Sequence, residues 1–263
     1  MQERHFDRRV YFTELANTSR EYFVGYVRKT KPLTPQSKVL EIGCGEGGNL
    51  MPFAEIGCEV TGIDLNGTKI NNARQFFEEH HQSGTFVVSD FMKVQPPSNE
   101  MEKYDLVIVN DVFEHIEQPY KLPFLKHMML FMRTDAVAFL GFPGWQMPFG
   151  GHQQMCKGNL SKIPFLHLLP EKQYVRLLAK KGESEGTINE LLSIRRSKVT
   201  IESFEKLIDT LGLKVKDRTM WFINPHYKQK FHLYPVREIW PFTALPYVRN
   251  YYTTTVWYLL SLS

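Results

Sequence analysis

Residues 39–50, VLEIGCGEGGNL, hold the chain's densest group of chemically suggestive residue types. Gly43, Gly45 and Gly48 satisfy G-x-G-x-x-G, and Asp64 follows Gly43 by about 20 residues, the spacing of a dinucleotide-binding loop. Glycines at this spacing let the backbone approach a ligand closely, which suits a dinucleotide and a simple nucleoside equally. Three observations favour a nucleoside without phosphates. Glu46 lies in the loop, and a carboxylate a few ångströms from a pyrophosphate costs on the order of 1 kcal/mol or more. A helical stretch precedes the glycine strand, where a dinucleotide fold opens on that strand. Asp90 and Phe91 close the third strand, where a nucleoside site places another contact.

The elements that must position these residues follow from periodicity. Apolar and aromatic residues recur at helical spacing from Phe6 to about Lys29, and Pro32 and Pro35 then mark a turn. KVLEIG, CEVTGID, TFVVSD, YDLVIVND and AVAFLGF read as Val- and Ile-rich strands, with helices predicted over 49–54, 68–80 and 119–132. Such alternation predicts a largely parallel sheet covered on both faces. Residues 143–198 are too long for an ordinary connection and carry helical patterns over 171–180 and 187–194, so they read as a helical insertion. Thr200 then starts a helix, Gly212 caps it, and strands follow over 213–219 and in the last ten or so residues, YTTTVWYLLSL.

Taken together, VLEIGCGEGG, VTGIDLN, VVSDF and YDLVIVNDVFEHI resemble the motifs of class I S-adenosylmethionine-dependent methyltransferases. The similarity is greatest to the ubiquinone-biosynthesis-like branch that acts on small molecules. It covers roughly 36–142, and TIESFEKLIDTLGLKV resembles the family's later helix and strand. The fold it implies is α/β: a Rossmann-like, mostly parallel seven-stranded sheet with an antiparallel last strand, an N-terminal helix and a helical insertion after strand five. One methyltransferase domain over 1–263 is expected: a helical cap (1–36), a cofactor-binding core (37–142), the insertion as an acceptor lid (143–198) and the rest of the core (199–263). The implied cofactor is S-adenosyl-L-methionine. Gly43, Cys44 and Gly45 would approach its methionine part through the backbone, with Glu41 near the amine. Asp64 would accept from the ribose hydroxyls and Leu65 pack on the adenine. Asp90 would accept from the adenine amine, Phe91 give a backbone donor, and Asn110 offer its carbonyl.

Methyl transfer from a sulfonium needs alignment more than covalent help, and a base helps if the acceptor is a hydroxyl. Glu114, His115 and His152 lie beyond strands four and five. His152 is the expected catalytic residue, because Gly150 and Gly151 free the backbone before it while Trp145, Met147 and Phe149 could wall an apolar acceptor pocket. No metal constellation is expected, since His80 and His81 are adjacent on a helix and face different ways. INPHY, residues 223–227, resembles the Asn-Pro-Pro-Tyr signature of methyltransferases acting on nucleic-acid bases. It follows the wrong strand for that chemistry and reads as a strand terminator.

Composition sets the remaining expectations. The 263 residues carry a net +4, concentrated in 142–200, where nine lysines and arginines face four glutamates. A solvated helical face explains this more simply than an anionic partner. Three cysteines, Cys44, Cys58 and Cys156, without C-x-x-C spacing predict neither a disulfide framework nor a zinc site. No signal peptide, transit peptide or membrane span is evident, so a cytoplasmic protein is expected. The leading expectation is O-methylation of a small, partly apolar acceptor, with nucleic acid not expected as a partner. The alternatives are an RNA- or protein-modifying enzyme docked through the basic insertion, or a cofactor-binding module without turnover. The aromatics of the tail from Trp221 would pack the sheet and its antiparallel last strand; alternatively, the connection from His226 to Asn250 would cover the pocket or make a homodimer contact.

Overall fold

The computed structural model describes residues 7–262; Phe6, where the sequence opens its first helix, lies outside them. The described residues open with helix α1 (Arg8–Thr18), N-capped by Asp7, whose carboxylate accepts from the Arg9 and Val10 amides. A wide turn, Ser19–Phe23, leads into α2 (Val24–Arg28). Then come β1 (Lys38–Ile42), α3 (Met51–Glu55), β2 (Glu59–Asp64), α4 (Gly67–Glu79), β3 (Thr85–Val88), β4 (Tyr104–Asn110), α5 (Gln118–Leu130) and β5 (Met132–Phe142). The insertion follows as a series of short turns with α6 (Glu171–Lys180) and α7 (Glu185–Ser197). The chain finishes with α8 (Ile201–Thr210), β6 (Lys214–Ile223), α9 (His226–Phe231), β7 (Val236–Arg237) and β8 (Thr255–Ser261).

Eight strands form one sheet in the order β3-β2-β1-β4-β5-β8-β6-β7. The first five are mutually parallel, and β8 inserts antiparallel between β5 and β6. Seven strands match the expectation; the eighth, β7, is a two-residue edge pairing with β6. β6 also runs on to Ile223, past the expected end at Thr219.

The unbroken apolar text of β5 has a simple cause: both of its faces are buried. Val137 and Phe139 join the core beneath α1–α4, while Ala136, Ala138, Leu140 and Phe142 join the core beneath α5 and α8. The insertion has a small core of its own, built on Leu160, Leu166, Tyr174, Leu178 and Leu191. α8 starts at Thr200 as the sequence predicts, with a capping box that closes through Ser203. The parallel strands end at one edge of the sheet, and there the loops after β1, β2, β3 and β4 converge, as open α/β sheets place their ligands.

Candidate functional site

The loop after β1 rests on glycines for two different reasons. Gly43, Gly45 and Gly47 hold left-handed φ of 75°, 54° and 79°, which a side chain would strain. Gly48 is there for packing: a Cβ would lie 2.7 Å from Leu15 Cβ and from the Phe12 carbonyl, so α1 sits directly on the loop. Beside Gly45 an added Cβ would meet nothing nearer than 4.0 Å, so space for a ligand lies on that side.

Asp64 ties the loop to β2: Oδ2 accepts from the Gly45 amide at 2.9 Å and Oδ1 from the Asn66 amide at 2.8 Å. Each carboxylate oxygen keeps a further lone pair for a ligand hydroxyl. Leu65 is 74% exposed at the end of the strand, unusual for a leucine and suited to an aromatic ring. Asp90 caps the turn after β3 through the Met92 amide and stays partly exposed. The Phe91 side chain turns into the core against Phe124, His127 and Phe131, which leaves only its backbone for a ligand. Asn110 ends β4 and donates to Asp111 Oδ2 at 2.9 Å; its own Oδ1 fills the space that a Cβ on Gly141 would take.

Glu41 is wholly buried. Its Oε1 accepts from Asn49 Nδ2 at 2.7 Å, and its Oε2 has no partner. Burial pushes its pKa up to about 8, so an approaching ammonium would find an oriented, under-solvated carboxyl. Cys44 is buried against Gly62, and burial pushes its thiol up as well, so its side chain is inert; its amide donates to the Ile63 carbonyl and its carbonyl accepts from the Gly47 amide.

Glu46 departs from the expectation. It is 1% exposed and accepts from Arg8 Nε and Nη2 at 2.7 and 2.8 Å. Its charge is met by α1, so it does not repel a ligand, and the electrostatic argument against a pyrophosphate loses its force. The helix before β1 and the Asp90–Phe91 position still stand against a dinucleotide.

Beyond β4 and β5 the fold assembles what spacing could not show. Glu114, His115 and His152 bring three ligand-capable atoms within 4.8 Å of one another, a set able to hold a cation where the sequence showed no metal constellation. His115 and His152 meet edge to face at 4.9 Å, and His115 Nε2 lies 3.9 Å from Glu114 Oε1. Glu114 is buried with Oε2 unpartnered, and burial, with Asp111 nearby, raises its pKa. Behind it Lys121, also buried, donates to the Phe113 carbonyl at 2.5 Å, and burial lowers it to about 8. His152 takes a left-handed φ of 56°, and burial, then its histidine neighbours and Lys230, lower it to about 4.

The glycines before His152 act differently from the expectation. Neither Gly150 nor Gly151 has a positive φ. A Cβ on Gly150 would lie 2.3 Å from the Trp145 carbonyl and one on Gly151 2.1 Å from His167 Cβ, so the pair permits close packing rather than loop freedom. His167 is buried there, its Nε2 against the Trp145 carbonyl at 2.7 Å. Trp145 and Met147 are buried in this packing, and Phe149 is half-buried.

Sequence reasoning missed α9. INPHY does end β6, but Asn224 and His226 line a small cavity with Thr18, Asn49, Asn110 and Asp111, at the edge of the cofactor cleft. Burial, then the Asp111 charge, raises the pKa of the Tyr227 hydroxyl, and Lys230 acts to lower those of Asp111 and His152. The signal available was the pair of aromatics and lysines in HYKQKF, which no strand-end position could have flagged. A larger cleft of about 320 Å³ lies between α8 and β6, lined by Glu205, Ile208, Leu213, Arg218 and Tyr258, and contains none of these residues.

In the basic insertion, Arg195 pairs with Glu171 within it and Arg196 with Glu117 at the start of α5, so two of its nine basic side chains are met by carboxylates. No helix among the described residues is long and apolar enough to cross a membrane.

Comparison with known proteins places this geometry. A family profile described as a methyltransferase domain matches residues 39–135. The chain is 30% identical over 202 residues to a ubiquinone biosynthesis O-methyltransferase of Rhodopseudomonas palustris (strain HaA2), covering 76% of this chain and 68% of that protein. It is 32% identical over 106 residues to the protein of that name from Glaesserella parasuis serovar 5, covering 39% of this chain but only 44% of the relative's length. Among solved structures, magnesium protoporphyrin IX methyltransferase from Synechocystis PCC 6803 with bound SAH aligns over 100% of this chain and 88% of its own. Its TM-score is 0.57 at 16% identity, a likeness of fold.

Proposed function

Because the chain belongs to the class I S-adenosylmethionine-dependent methyltransferases, we propose that it moves the sulfonium methyl to a hydroxyl oxygen of a small, partly apolar acceptor. The observation that carries this reading is the convergence of Glu41, the Gly43–Gly45 turn and Asp64 at one edge of the sheet, with two histidines and Glu114 beyond it. Glu41 would meet the cofactor's amine and Asp64 the ribose hydroxyls. Leu65, Asp90 and the Phe91 amide would hold the adenine, and the Asn110 carbonyl the methionine end. In the reaction the acceptor oxygen bonds to the methyl carbon as the carbon–sulfur bond breaks, and the electron pair stays on sulfur as S-adenosylhomocysteine. The hydroxyl proton passes to His152, whose ring is unprotonated at neutral pH. The O-methyltransferase name of the relatives supports oxygen as the nucleophile.

A second reading of the same residues has its own observation, the unpartnered buried Glu114 Oε2. Glu114, His115 and His152 would hold a divalent cation, which when bound would acidify an acceptor hydroxyl. The insertion, residues 143–198, acts in either case as the acceptor lid, because it carries His152 and ties α7 to the loop after β4 through Ser197 Oγ and the His115 carbonyl.

Calorimetry with S-adenosylhomocysteine and with NAD separates the cofactor readings: the first should bind and the second should not. Asp64→Ala should weaken the first by roughly 10- to 100-fold, since it removes charge-assisted bonds to two hydroxyls. His152→Asn should lower kcat/KM by about 10²- to 10⁴-fold with cofactor affinity kept. NAD binding without homocysteine-analogue binding would sink the proposal.

A further inference from the structure

Three side-chain oxygens at the edge of the cofactor cleft receive no hydrogen bond from any described residue. Glu41 and Asn49 are 1% and 5% exposed, yet Glu41 Oε2 and Asn49 Oδ1 are both without a partner. Asp111 supplies the third: its Oδ2 accepts from Asn110 Nδ2 at 2.9 Å, and its Oδ1 is left open. Folded proteins seldom leave buried acceptors unpaired, so each such oxygen asks for a donor from elsewhere. All three are fixed in place. Glu41 Oε1 accepts from Asn49 Nδ2 at 2.7 Å, and Ser19 Oγ, in the wide turn after α1, donates to the Asn49 carbonyl at 2.7 Å. Asp111 takes a left-handed φ of 54°, a conformation that strains a residue bearing a side chain, while its amide donates to the Gly141 carbonyl at 2.9 Å. Asn49 and Asp111 line one cavity of about 10 Å³, whose wall also includes Thr18 and His226, joined Oγ1 to Nδ1 at 3.1 Å. That volume is close to the room one water-sized group needs.

We propose that Glu41, Asn49 and Asp111 form a three-oxygen seat for a primary ammonium, the one on the cofactor's amino-acid end, and that this seat makes the protein select nucleosides carrying such an amine. The inference rests on the cofactor reading above and adds Asn49 and Asp111 to it. An ammonium carries three N–H donors, one for each open oxygen, and charge-assisted bonds of this kind are the strong ones. A water of the same size offers two donors and no charge, which would leave one oxygen open. The electrostatics favour a cation as well. The charges that bear on Glu41 are those of Asp64 and Asp111, both negative, and Lys230, which bears on Asp111, does not figure at Glu41. The seat is assembled from three distant parts of the chain: the end of β1, the turn that leads into α3 and the residue after β4. Its position beside His226 makes α9 a wall of the cofactor site as well as of the acceptor side.

Calorimetry needs no acceptor to test this. Three nucleosides serve as probes: S-adenosylhomocysteine, its deamino analogue, which keeps the thioether and the carboxylate, and 5′-methylthioadenosine, which lacks the whole amino-acid end. Wild-type protein should bind S-adenosylhomocysteine roughly tenfold or more tightly than the deamino analogue. Asp111→Asn should weaken S-adenosylhomocysteine by roughly tenfold or more, and leave the deamino analogue within about threefold of wild type. Asn49→Leu should act in the same direction. Unchanged 5′-methylthioadenosine binding and circular dichroism report that a variant is folded; where a variant unfolds, the wild-type comparison decides by itself. Wild-type protein that binds S-adenosylhomocysteine and the deamino analogue equally overturns the proposal, and so does an Asp111→Asn variant that weakens both alike. Wild-type protein that binds none of the three nucleosides removes the cofactor reading and the seat together, whereas equal binding of the first two removes the seat alone.

Discussion

Glu41 and Asp64 stand near the ends of the neighbouring strands β1 and β2 but answer to different physics. Asp64 is held by two backbone amides at the surface of the cleft, while Glu41 is buried, with one oxygen unpartnered and its pKa near 8. The folded protein therefore keeps a proton on Glu41 that the unfolded chain releases above the usual carboxylate range. Stability from this group is present at low pH and is lost as pH rises toward 8. Glu41→Gln should raise Tm relative to wild type by an amount that grows between pH 6 and pH 9, read by calorimetric scans. Binding of S-adenosylhomocysteine at pH 7 should release a proton in wild type, seen as an enthalpy that depends on buffer, and should not in the variant. An enthalpy independent of buffer in wild type would remove Glu41 from the ligand's amine. His152 carries the opposite shift, down to about 4, so its proton-accepting form persists in acid. The acid limb of kcat/KM should fall nearer pH 4–5 than 6.5, and His152→Asn should abolish it.

At the scale of elements, α1 is part of the cofactor loop rather than an ornament before it. Gly48 lets the helix touch the loop, and the Arg8–Glu46 pair fastens its first turn there. Arg8→Ala leaves a buried carboxylate without its cation. The expected cost is about 2–3 kcal/mol, below that of a fully buried pair because the Arg8 side chain is a third exposed. Chemical denaturation would show a lower midpoint, and cofactor affinity should fall with it because the loop loses its backing. An unchanged midpoint would mean that α1 only lies against the loop. α8 and β8 were legible because caps and β-branched runs act locally. The two-residue β7 was not, since it exists only by pairing with a bulged Trp221–Ile223 edge.

Across the whole molecule, the insertion and α9 bring chemistry to the cleft from distant sequence. The insertion's core around Tyr174 is separate from the two cores of the sheet. Tyr174→Ala should therefore loosen the insertion alone, by about 3–5 kcal/mol of local stability. S-adenosylhomocysteine affinity should stay within about threefold, while acceptor turnover collapses. Loss of both together would show that lid and core fold as one unit. Sequence by itself determined the βα order, the glycine turn and the carboxylates at the strand ends, because each of those relations closes within one strand–loop–helix unit, where spacing is geometry. The His115–His152 contact, the cation paired with Glu46, the nearness of α9 to Asp111 and the exposure of residues 239–248 were decided only by the tertiary structure. Those contacts join residues tens or hundreds of positions apart, and no local propensity records which surfaces the packed sheet will bring together or leave bare.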